Sequence, residues 1–267
     1  MNRIGKKEFL RHKNSDTIVV YGCGNSLKTL TDKEKDHLSN FDSVGFNWLC
    51  KSRIPTTFYF LREQGIRTFT TRGETQSVLI SLLTNYYPKT CLICDDLTNS
   101  SPRWSRISTY NIKAINNKFV HDGLVLKEIF AKKQLKEFKD KLGARGRRQS
   151  VISKKMLEYD IFTDGLIYDF CTMTCIMHII TYLGYDNIIF VGVDLYDHRY
   201  FWLPDNALRG ITQIMGRGLE DRHHTAKYTC ELVKMYKKET GKNLYTFNPN
   251  SLLKEHIPVY DMSLISE

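Results

Sequence analysis

The segment DTIVVYGCGNSLKTL, residues 16–30, constrains the fold more than any other part of the chain. Its apolar run Thr17–Tyr21 predicts a short buried strand, which turns through Gly22 and Gly24 and enters a helix near Ser26. A strand, a glycine turn and a helix in this order begin a βαβ unit. The segment therefore favours a parallel sheet covered by helices.

The same alternation continues along the chain. Further strands are predicted over 42–48, 56–61, 89–96, 185–196 and 242–247; helices over 76–87, 125–142, 163–184 and 225–241; and irregular or turn segments over 97–120, 143–150 and 203–222. This order predicts an α/β fold: one domain over 1–267, built on a single Rossmann-like, doubly wound parallel sheet. The segment 203–222 is predicted to form a small lid. Ligands of such folds bind beyond the carboxyl ends of the strands.

Composition narrows the class of partner. Hydrophobic residues make up 42% of the 267, which is enough for a sizeable core. Thirty-nine basic residues against 29 acidic ones give a net charge of +10, which favours an anionic partner: a nucleic acid, a phosphorylated small molecule, an acidic glycan or a membrane surface. The seven cysteines, without an apolar leader sequence, indicate free thiols in a reducing cytoplasm.

The glycine turn is the first candidate site. Its candidate nucleotide-binding residues are Gly22, Cys23, Gly24, Asn25 and Ser26. Two glycines let a phosphate or ribose approach the backbone, and the helix start favours an anion. The third glycine of the dinucleotide fingerprint is missing, and Asp42, at the right distance for a ribose contact, precedes its strand. The alternative is a tight turn in which Ser26 caps a helix.

Two further segments carry polar side chains after predicted strands or loops. In GVDLYDHRYFW, Asp194 follows a strand, and the phenols of Tyr196 and Tyr200 are neutral donors that could bind a leaving phosphate without a metal. In DRHHTAKY, His223 and His224 are adjacent, so they face different ways on a helix and do not share one metal. At a helix N-terminus the dipole would lower a histidine pKa and favour the base. Packing under a loop and a polar helix entrance are the alternatives.

Metal and nucleic-acid sites are weaker interpretations. The cysteines of CLIC (91–94) and CTMTC (171–175) lie in an apolar strand and helix, where core thiols are expected rather than zinc ligands. Asp95 and Asp96 could hold manganese, although they also suit a solvated strand end. The basic helix predicted over 125–142 could bind nucleic acid or an anionic membrane, or simply face solvent.

Four segments of the chain, taken together, resemble one family: GCGNSL (22–27), DSVGFNW (42–48), CTMTCIMHIITYLGYDNIIFVGVDLY (171–196) and HTAKYTCELVKMYKKETGKNLYTFNPNSLL (224–253). It is the bacterial CMP-sialic-acid-dependent sialyltransferases of lipooligosaccharide biosynthesis, of the alpha-2,3 type. The resemblance covers roughly the first 60 residues and 165–253. It implies a variant of the glycosyltransferase A fold and an inverting, metal-independent transfer that uses no cofactor.

The resemblance also assigns roles. It implies that His224 is the general base and that Tyr196 and Tyr200 support the leaving phosphate. His223, the neighbour of His224, is a candidate acceptor contact. Asn47 and Thr172 match family residues that contact the donor nucleotide, and Asp194 is assigned to the same nucleotide site. Partners would be a CMP-activated acidic sugar and a glycan acceptor of lipooligosaccharide or capsule, with no nucleic acid. A cytoplasmic enzyme at the inner face of the membrane is expected, and self-association stays open.

Three departures from the family pattern fall on donor contacts. Cys23 and Phe60 replace asparagines, and Asp169 replaces an arginine. They point to a relative that uses another acidic sugar, or to one without activity. A metal-dependent transferase using another sugar nucleotide, and a non-catalytic basic protein that binds nucleic acid or glycan, remain as alternatives.

Overall fold

A computed structural model describes residues 2–61, 89–96, 122–130, 145–169, 171–196, 200–202 and 219–263. The strands are β1 (Asn2–Arg3), β2 (Thr17–Tyr21), β3 (Asp42–Phe46), β4 (Phe58–Leu61), β5 (Cys91–Asp96), β6 (Asp122–Phe130), β7 (Leu166–Tyr168), β8 (Asn187–Val191) and β9 (Asn243–Thr246). The α-helices are α1 (Lys6–Leu10), α2 (Asp32–Leu38), α3 (Arg145–Glu158), α4 (Thr172–Leu183) and α5 (Leu219–Thr240). Short 3-10 helices cover Asn25–Thr29, Leu49–Ser52 and Leu252–Glu255.

The described strands form one parallel sheet in the order β1-β6-β5-β4-β3-β2-β8-β9, and β7 pairs with the end of β6. β2 lies between β3 and β8, with Ile18 opposite both Asp42 and Ile188. Because the strands are parallel, their carboxyl ends share one edge. The predicted parallel sheet is confirmed, and its order brings the ends of β3, β2, β8 and β9 side by side.

Helices cover both faces of the sheet. Alternate residues of β2 point to opposite sides: Ile18 and Val20 join a core cluster with α1, α3, α4 and α5, whereas Val19 and Tyr21 join a second cluster with α2. Strands buried on both faces read as continuous apolar runs, as TIVVY and NIIFV do. The doubly wound α/β class predicted from the sequence is therefore confirmed.

Two predictions for the middle of the chain are wrong. Residues 122–130 form strand β6, where a helix over 125–142 was predicted, and residues 145–158 form α3, where 143–150 was predicted to be a turn. The sequence LVLKEIF fits either period, and pairing with β5, β1 and β7 selects the strand. Residues 131–142 lie outside the described residues, as do the helix predicted over 76–87 and the irregular segment 97–120.

The helices of the second half differ from prediction at their starts. Residues 166–168 form β7, so α4 begins only at Thr172, and Gly184 ends it with a φ of 70°. Helix α5 begins at Leu219, six residues before the predicted start at 225. The end of the predicted lid, residues 219–222, is thus helical, and 203–218 lie outside the described residues.

The thiol predictions hold where they can be checked. Cys91 and Cys175 have no exposed surface and belong to the first core cluster, as expected of core thiols, while Cys171 is half-buried. The side chain of Cys94 lies outside the described part. Within the described ranges, no helix has the length and apolar character needed to cross a membrane.

Candidate functional site

The glycine turn after β2 packs against the backbone that follows β8. The amide of Gly22 donates to the carbonyl of Val191 (2.8 Å), and that of Gly24 donates to the carbonyl of Gly192 (2.7 Å). A methyl group on Gly22 would overlap the Gly192 carbonyl, and one on Gly24 would overlap a carboxylate oxygen of Asp194. The two glycines predicted from the sequence are therefore required for backbone contact within the protein.

Asp194 anchors this turn. One carboxylate oxygen accepts from the amide of Ser26 (2.9 Å); the other accepts from the Ser26 hydroxyl (2.5 Å) and from Nδ2 of Asn248 (2.8 Å). Asp194 is only 2% exposed. The structure thus brings together Ser26 and Asp194, two predicted nucleotide-site residues, but their side chains bind each other. Asn248 was missed as a site residue, although an asparagine directly after an apolar strand was a usable signal.

Cys23 and Asn25 lie in the same turn with different surroundings. The Cys23 thiol points into the second core cluster, 3.5 Å from the Phe46 carbonyl, and burial raises its pKa to about 12. It is a packing group rather than a polar ligand contact. Asn25 opens the 3-10 helix, and its Oδ1 is buried without a hydrogen-bond partner among the described residues.

The end of β3 forms the next part of the edge. Asn47 has a left-handed backbone, with φ 56°, and its carbonyl accepts from the hydroxyl of Tyr59 (2.8 Å). The same hydroxyl accepts from the amide of Cys50 (3.0 Å), so β4 fixes the turn that follows β3. Phe60, at the position of a family asparagine, is fully buried in the core. This departure removes a polar group from β4.

Both predicted tyrosines lie at this edge. Tyr196 is 44% exposed, and its hydroxyl is 3.4 Å from Nδ2 of Asn248. Tyr200 lies opposite Gly24 in an antiparallel bridge, and its ring stacks on Trp202 at 4.5 Å between centroids. The structure therefore places Tyr200 against the glycine turn, with Tyr196 beside the segment that follows β9.

A small cleft opens beside these residues. Its volume is about 100 Å³, and its walls are Ser26, Thr29, Leu30, Glu34, Val191, Gly192, Phe247, Asn248 and Pro249. The walls combine hydroxyl, amide and carboxylate groups with one aromatic ring. The cleft lies between the glycine turn and the segment after β9, which is the edge where α/β folds bind ligands.

Thr172, the first residue of α4, lies near a buried polar network. Asp169 is 1% exposed; its Oδ2 accepts from the hydroxyl of Tyr228 (2.8 Å), and its carbonyl accepts from Thr174 Oγ1 (2.7 Å). Burial, together with the Asp169 charge, raises the pKa of Tyr228 well above its usual range. Asp169, where the resemblance leads us to expect an arginine, therefore ties the start of α4 to helix α5.

His223 and His224 are the fifth and sixth residues of α5. Their side chains lie outside the described part of the chain. The prediction that they sit at a helix N-terminus is wrong, because α5 begins at Leu219 and the dipole acts mainly within the first turn. His224 precedes Tyr228 by four residues, so both positions lie on one face of the helix.

Asp42 does not belong to this site. It begins β3, at the amino edge of the sheet, and accepts from the amides of Asn14 (2.6 Å) and Ser15 (3.0 Å) and from the Tyr185 hydroxyl (2.8 Å). The ribose contact considered for Asp42 is therefore wrong, since the ligand edge is at the other end of the strand.

The acidic pair Asp95 and Asp96 ends β5, with side chains outside the described residues. Across the described ranges, no group of three histidine, cysteine, aspartate or glutamate side chains is arranged to hold a metal ion.

Known structures match the fold of this chain. A monofunctional alpha-2,3-sialyltransferase, Cst-I from Campylobacter jejuni, superposes with a TM-score of 0.50 at 14% identity, covering 100% of this chain and 86% of that one. An asparagine-to-alanine variant of the sialyltransferase CST-II, also from Campylobacter jejuni and in complex with CMP, superposes with a TM-score of 0.51 at 16% identity, covering 94% and 89%. This chain has their fold.

The similarity inferred from the sequence motifs is thus confirmed at the level of the fold, with glycosyltransferase A-like sialyltransferases as structural neighbours. No family model matches the chain, and no curated protein does.

Proposed function

We propose that this protein is an inverting, metal-independent glycosyltransferase that moves sialic acid or a related acidic sugar from a CMP donor to a glycan acceptor. The main support is the combination of fold and site. The chain has the fold of Cst-I and CST-II, and the CST-II variant was crystallised in complex with CMP. At one edge of the sheet this chain brings together its glycine turn, Asp194, Tyr196 and Tyr200. The glycan of lipooligosaccharide or capsule is the proposed acceptor.

The donor half of the reaction needs stabilisation of charge on the departing CMP. Tyr196 is half-exposed beside the cleft, and Tyr200 lies against Gly24, so both are proposed to donate hydroxyl hydrogen bonds to the phosphate. CMP is a good leaving group, so these donors suffice without a divalent ion. The turn from Gly22 to Ser26 and the neighbouring Asn47 and Thr172 are proposed to hold the nucleotide. Asp194 keeps the turn in shape.

The acceptor half needs a base. His224 is proposed to remove the proton from the acceptor hydroxyl, and His223 to contact the acceptor. The Asp169–Tyr228 bond fixes the helix that carries His224 to the start of α4, where Thr172 lies. The net charge of +10 is proposed to draw the enzyme to anionic membrane or to an acidic acceptor.

The nucleic-acid alternative loses its support where it can be examined. It depended on a basic helix over 125–142, and residues 125–130 instead belong to strand β6 inside the sheet. The sheet edge with its polar side chains is a feature that a simple basic binder does not need.

Thermal unfolding with CMP, CDP, UDP, GDP, NAD and a short RNA, each with and without manganese, tests the donor. A ligand that binds the native state raises the melting temperature by mass action. Stabilisation by CMP in the absence of metal is expected. Stabilisation by UDP or GDP only with manganese would overturn the proposal and move attention to Asp95 and Asp96.

A further inference from the structure

Beside the glycine turn, a lysine is held over two tryptophans. Nζ of Lys51 lies 5.0 Å from the ring centroid of Trp48 and 5.3 Å from that of Trp202. Cation–π contacts of this kind hold an ammonium group in place while leaving its N–H donors available. The Lys51 residue is exposed, whereas Trp48 is 6% exposed. The arrangement is a fixed cation at the surface.

The surrounding backbone keeps this cation in one position. Lys51 belongs to the 3-10 helix Leu49–Ser52, and the Tyr59 hydroxyl bonds both ends of the turn that leads into it. Trp202 is fixed from the other side, because the amide of Phe201 donates to the Cys23 carbonyl (3.2 Å). Segments after β2, β3 and β8 therefore meet around one ammonium group.

The charge of Lys51 has no carboxylate to neutralise it within the described residues. Partial burial lowers its pKa, which is the cost of taking an ammonium out of water. A lysine that is held by aromatic rings, partly desolvated and without an ion pair among the described residues suits an anionic ligand group.

We propose that Lys51 binds the carboxylate of the acidic sugar in the donor. The proposal rests on the proposed function and names a specificity-determining residue for it. Lys51 lies over Trp202, whose ring stacks on that of Tyr200, so Lys51 is beside a tyrosine that is proposed to bind the phosphate. In the donor, the carboxylate and the phosphate oxygen are bonded to the same sugar carbon, so a group beside the phosphate can reach the carboxylate. The carboxylate is favoured as the ligand of Lys51 because the phosphate already has two proposed tyrosine donors, whereas the carboxylate has none.

Calorimetric titration of Lys51→Gln with CMP and with a non-transferable CMP–sialic acid analogue tests this assignment. Loss of a charge-assisted hydrogen bond should weaken binding of the analogue about tenfold and leave CMP binding unchanged. Lys51→Arg should retain most of the affinity for the analogue. Lys234→Gln, an exposed charge loss on α5, is the matched control and should change neither affinity.

Other binding results would overturn the assignment of Lys51 to the carboxylate. Equal weakening of CMP and analogue would assign Lys51 to the phosphate and overturn the proposal. Unchanged binding of both, or a wild type that binds the analogue no better than CMP, would also overturn it. If the wild-type protein binds neither ligand, the proposed function fails first and the inference with it. Thermal unfolding of each variant verifies that it is folded.

Discussion

The carboxylate of Asp194 accepts hydrogen bonds from both the amide and the hydroxyl of Ser26, across 168 residues of sequence. The pair links the end of β8 to the start of the helix after β2, and Asn248 adds a third bond from the segment after β9. Three strand ends are thereby fixed around one buried charge. The rest of the proposed nucleotide site is built on this contact.

Asp194→Asn should destabilise the protein and weaken CMP binding together. The amide has one acceptor oxygen and brings a donor group close to the donors of Ser26 and Asn248, so we expect a loss of about 2–3 kcal/mol in the free energy of unfolding. Urea denaturation measures it. Asp16→Asn is the control, since the Asp16 side chain is 76% exposed and pairs with Lys13 at the surface. Equal stability of the two variants would contradict the anchoring role.

His178 should make the fold sensitive to mild acid. Its Nδ1 accepts from the amide of Ile167 (3.1 Å), its Nε2 donates to the carbonyl of Tyr159 (3.2 Å), and burial lowers its pKa to about 4. The unfolded-state pKa is about 6.5, so the contribution of His178 to stability is complete above pH 6.5 and declines as the pH falls toward 4.

Because of the lowered pKa of His178, the free energy of unfolding should be about 2 kcal/mol smaller at pH 5 than at pH 7.5. Urea denaturation at the two pH values measures it. A folded His178→Gln variant should lack most of this decrease, although it is less stable at pH 7.5, whereas His256→Gln should retain it. A wild-type stability that is the same at both pH values would argue against a buried neutral histidine.

Tyr228→Phe should loosen the helix that carries the proposed base. The variant loses the 2.8 Å bond to Asp169 and leaves a buried carboxylate short of one donor, which should cost about 1–2 kcal/mol of stability. Transfer activity should fall as well. Tyr182→Phe is the matched control, because its hydroxyl is half-buried and 3.4 Å from Asp160. The comparison uses urea denaturation and a transfer assay, and similar values for both variants would count against the network.

The sequence predicts local structure well where the apolar pattern is unambiguous. The runs TIVVY and NIIFV could be recognised as strands, and Gly184 as a helix end, because each depends on neighbouring residues alone. Strand β6 could not be distinguished from a helix, since its identity depends on pairing with β5. The strands β1 and β7 have two and three residues, too few for a period to appear.

The candidate site was only partly predictable for a related reason. The glycine turn and the tyrosines of GVDLYDHRYFW were found from residue type and position after a strand. Their contacts with distant residues were not: the sequence contains no sign that Cys23 faces the core or that Lys51 meets Trp202. Pairings across more than 100 residues depend on the sheet order, which local patterns do not determine.

The most direct test of the account is release of CMP from CMP–sialic acid in the presence of a chelator and a mixture of glycan acceptors, for the wild type and for His224→Ala. We expect metal-independent release and transfer by the wild type, loss of transfer of at least about 100-fold in the variant, and unchanged CMP binding and thermal stability. Undiminished transfer by His224→Ala would contradict the proposed base. Turnover that requires manganese would contradict the mechanism as a whole.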